Sequence, residues 1–308
     1  MTRLGFIGAG PIAAQHATAF AAIDGVRLGV CASRSLENAE RFRAEHGFAE
    51  ARTIADFLAK PDVDAIVVVV PAIHMAEVSL LAARTGLPLL MEKPVGMSLE
   101  ETRNAAALIT QPNMVALNRR HYEVIAEGKR LLDEAGGARF VEVHMPEDIK
   151  ALAGRYGEET LKAWHFGNSV HLIDLFRFFA GEANSVQTNN SVANWWDRSY
   201  SGLVDFASGA RGLYNAQWYA PGPWRVTAYA DNLCIVYAPI EEALVIRSPG
   251  RQRSEIRASG PDTRFKPGFF GQALAFVETV RTGMVPAGSA DLADYLKSVE
   301  LIDRLTAG

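Results

Sequence analysis

Apolar and polar positions follow two different rhythms along this chain, and the change falls close to residue 120. From residue 3 to about 118, short apolar or β-branched runs (Leu4 to Ile7, Leu28 to Ala32, Ala65 to Val70, Leu87 to Met91, Met114 to Leu117) are separated by stretches of helical character. The run "IVVVV" at 66–70 shows no polar alternation, as expected of a parallel strand covered on both faces. Residues 1–120 are therefore predicted to form a doubly wound α/β domain. After "ALNRRHY" the pattern becomes one amphipathic helix over Val124 to Leu132, a strand in "ARFVEVHM", a long loop, and a second helix from about Asn168. Two hairpins follow: "SGLVDFASGARGLYNAQWY", turning at Ser208-Gly209, and "WRVTAYADNLCIVYA", with Asp231-Asn232 at its tip. Residues 121–308 read as an α+β domain on a large, open, mainly antiparallel sheet.

Composition narrows the partners. The 308 residues carry a formal net charge of -4 with no Lys/Arg block, which leaves no electrostatic footprint for nucleic acid or anionic lipid and favours a small-molecule partner. The two cysteines, Cys31 and Cys234, lie inside separate apolar runs, so neither a disulfide framework nor a thiolate metal cluster is indicated. The seven histidines show no H-E-x-x-H or similar spacing, and no metal site is expected. The first strand begins at Arg3, leaving no room for a signal peptide, and no apolar run is long enough for a membrane span, so a cytoplasmic location is expected.

"FIGAGPIAAQHATAF" sets Gly8, Gly10 and Ala13 in a G-x-G-x-x-A arrangement between the first strand and the first helix. That context is what a dinucleotide fingerprint requires: Gly8 for the tight turn, Gly10 for close approach of a pyrophosphate, Ala13 for helix–strand packing, and helix N–H groups beside Pro11 and Ile12 for the phosphates. An NAD site usually offers an acidic residue about 20 positions further on. Here Ser33 and Arg34 stand there instead, which suits a 2'-phosphate and predicts NADP over NAD; the alternative is that Arg34 is a solvated loop cation.

Together with "ASRSLENAERF", "VVPAIHMAEVSLLAARTGLPLLMEKP", "ALNRRH", "HLIDLFRFFAG" and "GFFGQALAFVETVRTG", the fingerprint resembles the Gfo/Idh/MocA oxidoreductases over nearly the whole chain. The resemblance implies that Glu92, Lys93 and Pro94 lie at the carboxyl end of a Rossmann strand beside the nicotinamide, with a cis bond before Pro94. Lys93 then reaches the substrate oxygen and stabilises alkoxide character during hydride transfer. Without it, Glu92 and Lys93 read as a surface ion pair. The resemblance also places Pro71 and His74 against the cofactor, although His74 as a helix-capping residue is an equal reading.

"WHFGNSVHLIDLFRFFAG" predicts a helix from about Ser169 to Ala180, stopped by Gly181, with Leu172, Leu175, Phe176 and Phe179 as its core stripe. His171 and Asp174 share a neighbouring face, where a carboxylate can fix an imidazole for proton transfer. Periodicity alone favours a structural pair of Asp174 with Arg177 and a buried His171; the family's H-x-x-D motif favours His171 and Asp174 as catalytic. Many members carry an Asp four residues before that histidine, and Gly167 stands here instead, so Lys93 and His171 must carry more of the chemistry. Tyr122, Trp164, His165 and Asn168 are candidate substrate-binding residues, with core packing open for Trp164. The expected function is hydride transfer between NADP (alternatively NAD) and a sugar, polyol or related hydroxy or keto compound. The alternatives are a redox-neutral epimerase or glycosidase holding nicotinamide tightly, and a ligand-sensing regulator on the same fold. The apolar strands of the second domain, including Val204, Phe206, Leu213, Tyr214, Trp218, Val226, Tyr229, Ile235 and Tyr237, exceed what two helices can cover, so a homodimer or dimer of dimers is expected.

Overall fold

A computed structural model describes residues 1–307. The chain forms two compact units, Met1–His121 with Gly260–Leu296, and Tyr122–Ser259 with Lys297–Gly308. The stretch 121–308 is thus not one body: Gly260–Leu296 packs with the N-terminal residues.

The first unit alternates β1 (Thr2–Ile7), α1 (Pro11–Ala21), β2 (Val26–Ser33), α2 (Leu36–His46), β3 (Glu50–Thr53), α3 (Ile54–Ala59), β4 (Ala65–Val68), α4 (Ala72–Ala83), β5 (Leu89–Met91), α5 (Leu99–Leu108) and β6 (Asn113–Val115). All paired strands are parallel, in the order β3-β2-β1-β4-β5-β6. The order reverses between β1 and β4, which opens a crevice at their carboxyl ends. Every residue of β4 is buried, consistent with helices on both faces of the sheet. Start and stop signals act where physical chemistry puts them: Pro11 opens α1, the Ser35 hydroxyl accepts the Asn38 N–H at the start of α2, and Gly47 closes α2 at φ 75°.

The second unit holds α6 (Glu123–Glu134), β7 (Phe140–Pro146), α7 (Ile149–Leu152), α8 (Glu158–Lys162), α9 (Val170–Ala180) and then strands β8 (Ala183–Thr188), β9 (Ser191–Asn194), β10 (Asp197–Phe206), β11 (Arg211–Gln217), β12 (Arg225–Ala230), β13 (Leu233–Tyr237), β14 (Glu242–Arg247) and β15 (Gln252–Arg257). Eight of these strands run in the order β15-β14-β13-β12-β7-β11-β10-β8, with β9 paired to β10. The β7–β11 pair is parallel and the others are antiparallel. Both hairpin tips fall where expected, with Gly209 at φ 86° and Asn232 at φ 59°. The chain then returns to the first unit through α10 (Pro261–Arg264) and α11 (Phe269–Thr282), whose Phe276 packs edge-on to Phe20 of α1, and ends in α12 (Leu292–Thr306). No helix among the described residues is long and apolar enough to cross a membrane.

Strand alternation divides the large sheet into two unlike faces. Tyr200, Val204, Phe206, Tyr214, Val226, Ile235 and Tyr237 point to the covered face and are buried. The C-terminal turns of α12 also contribute cover there, as Leu305 lies against Gly202. The other face carries a row read directly from the strand register: Leu203, Leu213, Glu142, Thr227, Val236, Leu244. A parallel row holds Phe140, Tyr229, Cys234 and Ile246. Leu203 is 47% exposed and Tyr229 37%, so the apolar character of this open face comes from residues other than most of those expected.

Seating of α9 on the sheet depends on Gly212 in β11, where a Cβ would lie 2.1 Å from the ring of Phe176. Gly212→Ala is expected to lower stability by about 1–3 kcal/mol through overpacking, read as a lower urea midpoint with an unchanged slope. An unchanged midpoint would show that α9 gives way freely.

Candidate functional site

The crevice at the sheet reversal is a cavity of about 620 Å³. Gly8, Gly10, Pro11, Ile12, Ser33, Arg34, Pro71 and His74 all line it. Gly8 has φ 123°, and a Cβ there would lie 1.9 Å from the Val69 carbonyl oxygen, so only glycine allows β1 and β4 to close together at this point. A Cβ at Gly10 would meet nothing within 4 Å, because that position faces the open cavity. Ala13 is fully buried, as close packing of α1 on the sheet requires. Beyond the expected residues, Asn38 and Arg41 of α2 join Arg34 on one side, and Glu77, Val78 and Leu81 extend the α4 wall below His74.

Glu92 follows β5 and Lys93 comes next, with its bond to Pro94 cis. Its ammonium is pushed down to about 8, first by burial and further by the charges of Arg119 and Lys266, with Glu92 acting in the opposite sense. Arg119 belongs to the 3-10 turn Asn118–His121 after β6, and Lys266 precedes α11. The Asn118 amide ties these segments together by donating to the Pro267 carbonyl over 3.1 Å. Glu92 is buried, which alone would raise its carboxyl. A 2.9 Å hydrogen bond to His16 Nε2, the charge of Lys93 and the Lys93 backbone N–H donated over 3.0 Å hold it below the usual range instead.

In the second unit, His171, Asp174 and Arg177 are all buried on α9. This helix is buried nearly all round rather than along a single stripe. Asp174 Oδ1 accepts from the Ser298 hydroxyl over 2.8 Å, and Ser298 in turn accepts from Arg177 over 2.7 Å. Arg177 lies 3.9 Å from Asp174 and also pairs with Glu182 at 2.7 Å. Upstream, residues His165–Ser169 form a π-helical turn, a geometry frequent at functional sites. His165 stacks on Trp218 at 5.8 Å; burial, then the charge of Arg198, pushes it down to about 3, so it stays neutral across the physiological range. Asn168 donates to Glu147 over 3.1 Å, and burial raises the Glu147 carboxyl although N–H groups of Trp164, Asn168 and Trp224 face it. Trp164 is 6% exposed and packs edge-on to Tyr156; Tyr122 is buried where α6 begins. A Cβ at Gly167 would meet nothing within 4 Å.

Residues 2–118 match the family model described as an oxidoreductase family with an NAD-binding Rossmann fold, Gfo/Idh/MocA. Over that stretch the chain resembles the Gfo/Idh/MocA oxidoreductases. Over the aligned stretch it is 27% identical to scyllo-inositol 2-dehydrogenase (NAD(+)) of Bacillus subtilis, covering 92% of this chain and 87% of that protein. It is 25% identical to levoglucosan dehydrogenase of Pseudarthrobacter phenanthrenivorans, covering 63% of this chain but only 54% of that relative's length. A solved levoglucosan dehydrogenase in complex with NADH and levoglucosan shares the fold, with a TM-score of 0.82 at 19% identity over 99% of this chain and 95% of that one.

Several of these groups, in each unit, lie outside any local sequence pattern. Arg41 could have been found, since it follows Asn38 by one helical turn in α2. Arg119, Lys266, Glu147 and the partnership of His16 with Glu92 depend on contacts between distant segments, and nothing in their immediate sequence announces them.

Proposed function

We propose that this protein is a nicotinamide-dependent oxidoreductase that interconverts a CH–OH group and a carbonyl on a sugar, polyol or related small molecule. The observation that carries this reading is the placement of Lys93: just past β5 and Glu92, joined to Pro94 by a cis bond, with its backbone N–H held by the Glu92 carboxylate. The cavity beside Gly8 and Gly10 fits a dinucleotide, since the turn is glycine-dependent at Gly8 and open at Gly10. A bound nicotinamide supplies the hydride acceptor or donor. Lys93, as an ammonium at neutral pH, donates to the substrate oxygen and stabilises the alkoxide character that develops there. His171 exchanges the hydroxyl proton, while Asp174, occupied by Ser298 and Arg177, orients the helix face that carries it. A neutral His165 joins Tyr122, Trp164 and Asn168 as a pocket residue rather than a proton shuttle. Relatives named for levoglucosan and scyllo-inositol favour a polyhydroxylated ring as substrate.

For the cofactor we favour NADP. Arg34 and Ser33 stand where an NAD site offers a carboxylate, and Arg41 lines the same cavity. NAD is the second reading, favoured by the cofactor in the name of the Bacillus subtilis relative. Arg34→Ala is expected to weaken NADPH by about 1.5–3 kcal/mol and leave NADH nearly unchanged in fluorescence titrations. Equal losses for both would remove the assignment.

Lys93→Ala should lower kcat by roughly 100-fold or more with little change in cofactor affinity, and should abolish an alkaline limb near pH 8. His171→Ala should cost about 100-fold to 10,000-fold and remove the other limb, with Asp174→Asn having the smaller effect. Near-full activity of His171→Ala on a substrate found by screening sugars and polyols would return that histidine to the core.

The open sheet face, with Leu203, Leu213, Val236 and Leu244 in one row, is assigned to pairing with a second copy in a homodimer or dimer of dimers. Light scattering at micromolar concentration should report a multiple of 33.5 kDa; a single-chain mass would refute the pairing.

A further inference from the structure

His16 lies on the inner face of α1, fully buried, two helical turns from the fingerprint glycines. Its Nε2 stands 2.9 Å from Glu92 Oε1, and the other Glu92 oxygen accepts the backbone N–H of Lys93 over 3.0 Å. The carboxyl of Glu92 thus spans the gap between the nucleotide helix and the lysine. With Glu92 ionised, Nε2 must carry the hydrogen of this bond. The Nδ1 of the same ring is buried without a hydrogen-bond partner. A histidine retained only to tie α1 to the sheet has no reason to strand one nitrogen, and buried groups left in this state call for a functional account. Around the imidazole, the neighbouring rings of Phe20 and Phe269 at 6.5 and 4.7 Å are apolar, so Glu92 is the charge it addresses. The charged groups acting on Lys93 include Glu92, Arg119 and Lys266, and of these three Glu92 is negative.

We propose that His16 is a positioning residue for Lys93, acting through Glu92: its hydrogen bond keeps the Glu92 carboxylate ionised and held against the Lys93 backbone N–H, where its charge supports the lysine as a donor. This rests on the assignment of Lys93 as the group that holds the substrate oxygen. Removing the Nε2 donor leaves Glu92 buried without its strongest support, so the carboxylate takes up a proton or turns away. Lys93 then faces Arg119 and Lys266 with the opposing charge of Glu92 lost, and it gives up its proton at lower pH.

The test is the pH dependence of kcat for the full-length protein with its preferred cofactor and a turned-over polyol. His16→Leu should move the alkaline limb to lower pH by about one unit or more, the effect of losing a nearby opposite charge, while cofactor affinity stays within about twofold. His16→Gln, whose amide nitrogen reaches the place of Nε2, should restore most of the limb position. In a Glu92→Gln background, His16→Leu should add no further shift, because its route to the lysine is already cut. An unmoved limb in a folded His16→Leu protein, or a full additional shift in the Glu92→Gln background, overturns the proposal. Should His16→Leu fail to fold, Glu92→Gln alone decides, since an unmoved limb there equally overturns it. A limb that survives Lys93→Ala instead removes the Lys93 assignment, whereas a limb lost in Lys93→Ala but unmoved by His16→Leu removes only the coupling.

Discussion

An ammonium partly withdrawn from water persists only where its surroundings answer for the lost hydration, and around Lys93 that demand reaches into several elements. Glu92 supplies the opposing charge, yet Glu92 is itself buried and needs a donor, which α1 provides through His16. Burial first, and then the charges of Arg119 and Lys266, act the other way and bring the lysine closer to losing its proton. The balance is close, so small changes in any of these groups are read out in the lysine. Functional sites are where such opposing contributions are held against each other, at a cost in stability that a purely structural lysine would not be asked to bear.

The same logic separates the two buried charge clusters. In the second unit, Asp174, Arg177, Ser298 and Glu182 satisfy one another with short hydrogen bonds that join α9 to α12 and to the start of β8. That arrangement resembles a fastening more than a proton path, and it fits the role of holding His171 in place. Near β5, by contrast, a lysine sits between the opposing charge of Glu92 and the like charges of Arg119 and Lys266. One cluster is satisfied and the other poised.

How much of this was legible in the sequence follows from how far apart the cooperating residues lie. Gly8, Gly10, Pro11 and Ile12 work as one local unit, as do Ser33 with Arg34 and Glu92 with Lys93, so a short stretch displays each device whole. The parallel strands β1 and β4 were readable because burial on both faces removes polar alternation. β3 was not: "EART" is a four-residue edge strand whose Arg52 pairs with Glu50 and Asp62, and its polar composition carries no strand period. On α9, burial on all sides erased the contrast between faces on which the reading of one core stripe relied. His16 and Glu92 are 76 residues apart, and Asp174 and Ser298 are 124 apart; no pattern within one element could join them.

The return of Gly260–Leu296 to the first unit bears on how the protein is made. During synthesis the nucleotide-binding half emerges first, but the side of α1 that carries Phe20 has to wait for Phe269 and Phe276, which appear on the ribosome only after the whole large sheet has been translated. Until then an apolar helix face stands uncovered, a state prone to association with other nascent chains. Premature termination between β6 and α11 leaves the Rossmann sheet complete in its strands yet lacking one of its walls, so such a truncated product is expected to be sticky rather than merely inactive. Because the closing contacts join residues separated by most of the chain, their formation is also intrinsically slow.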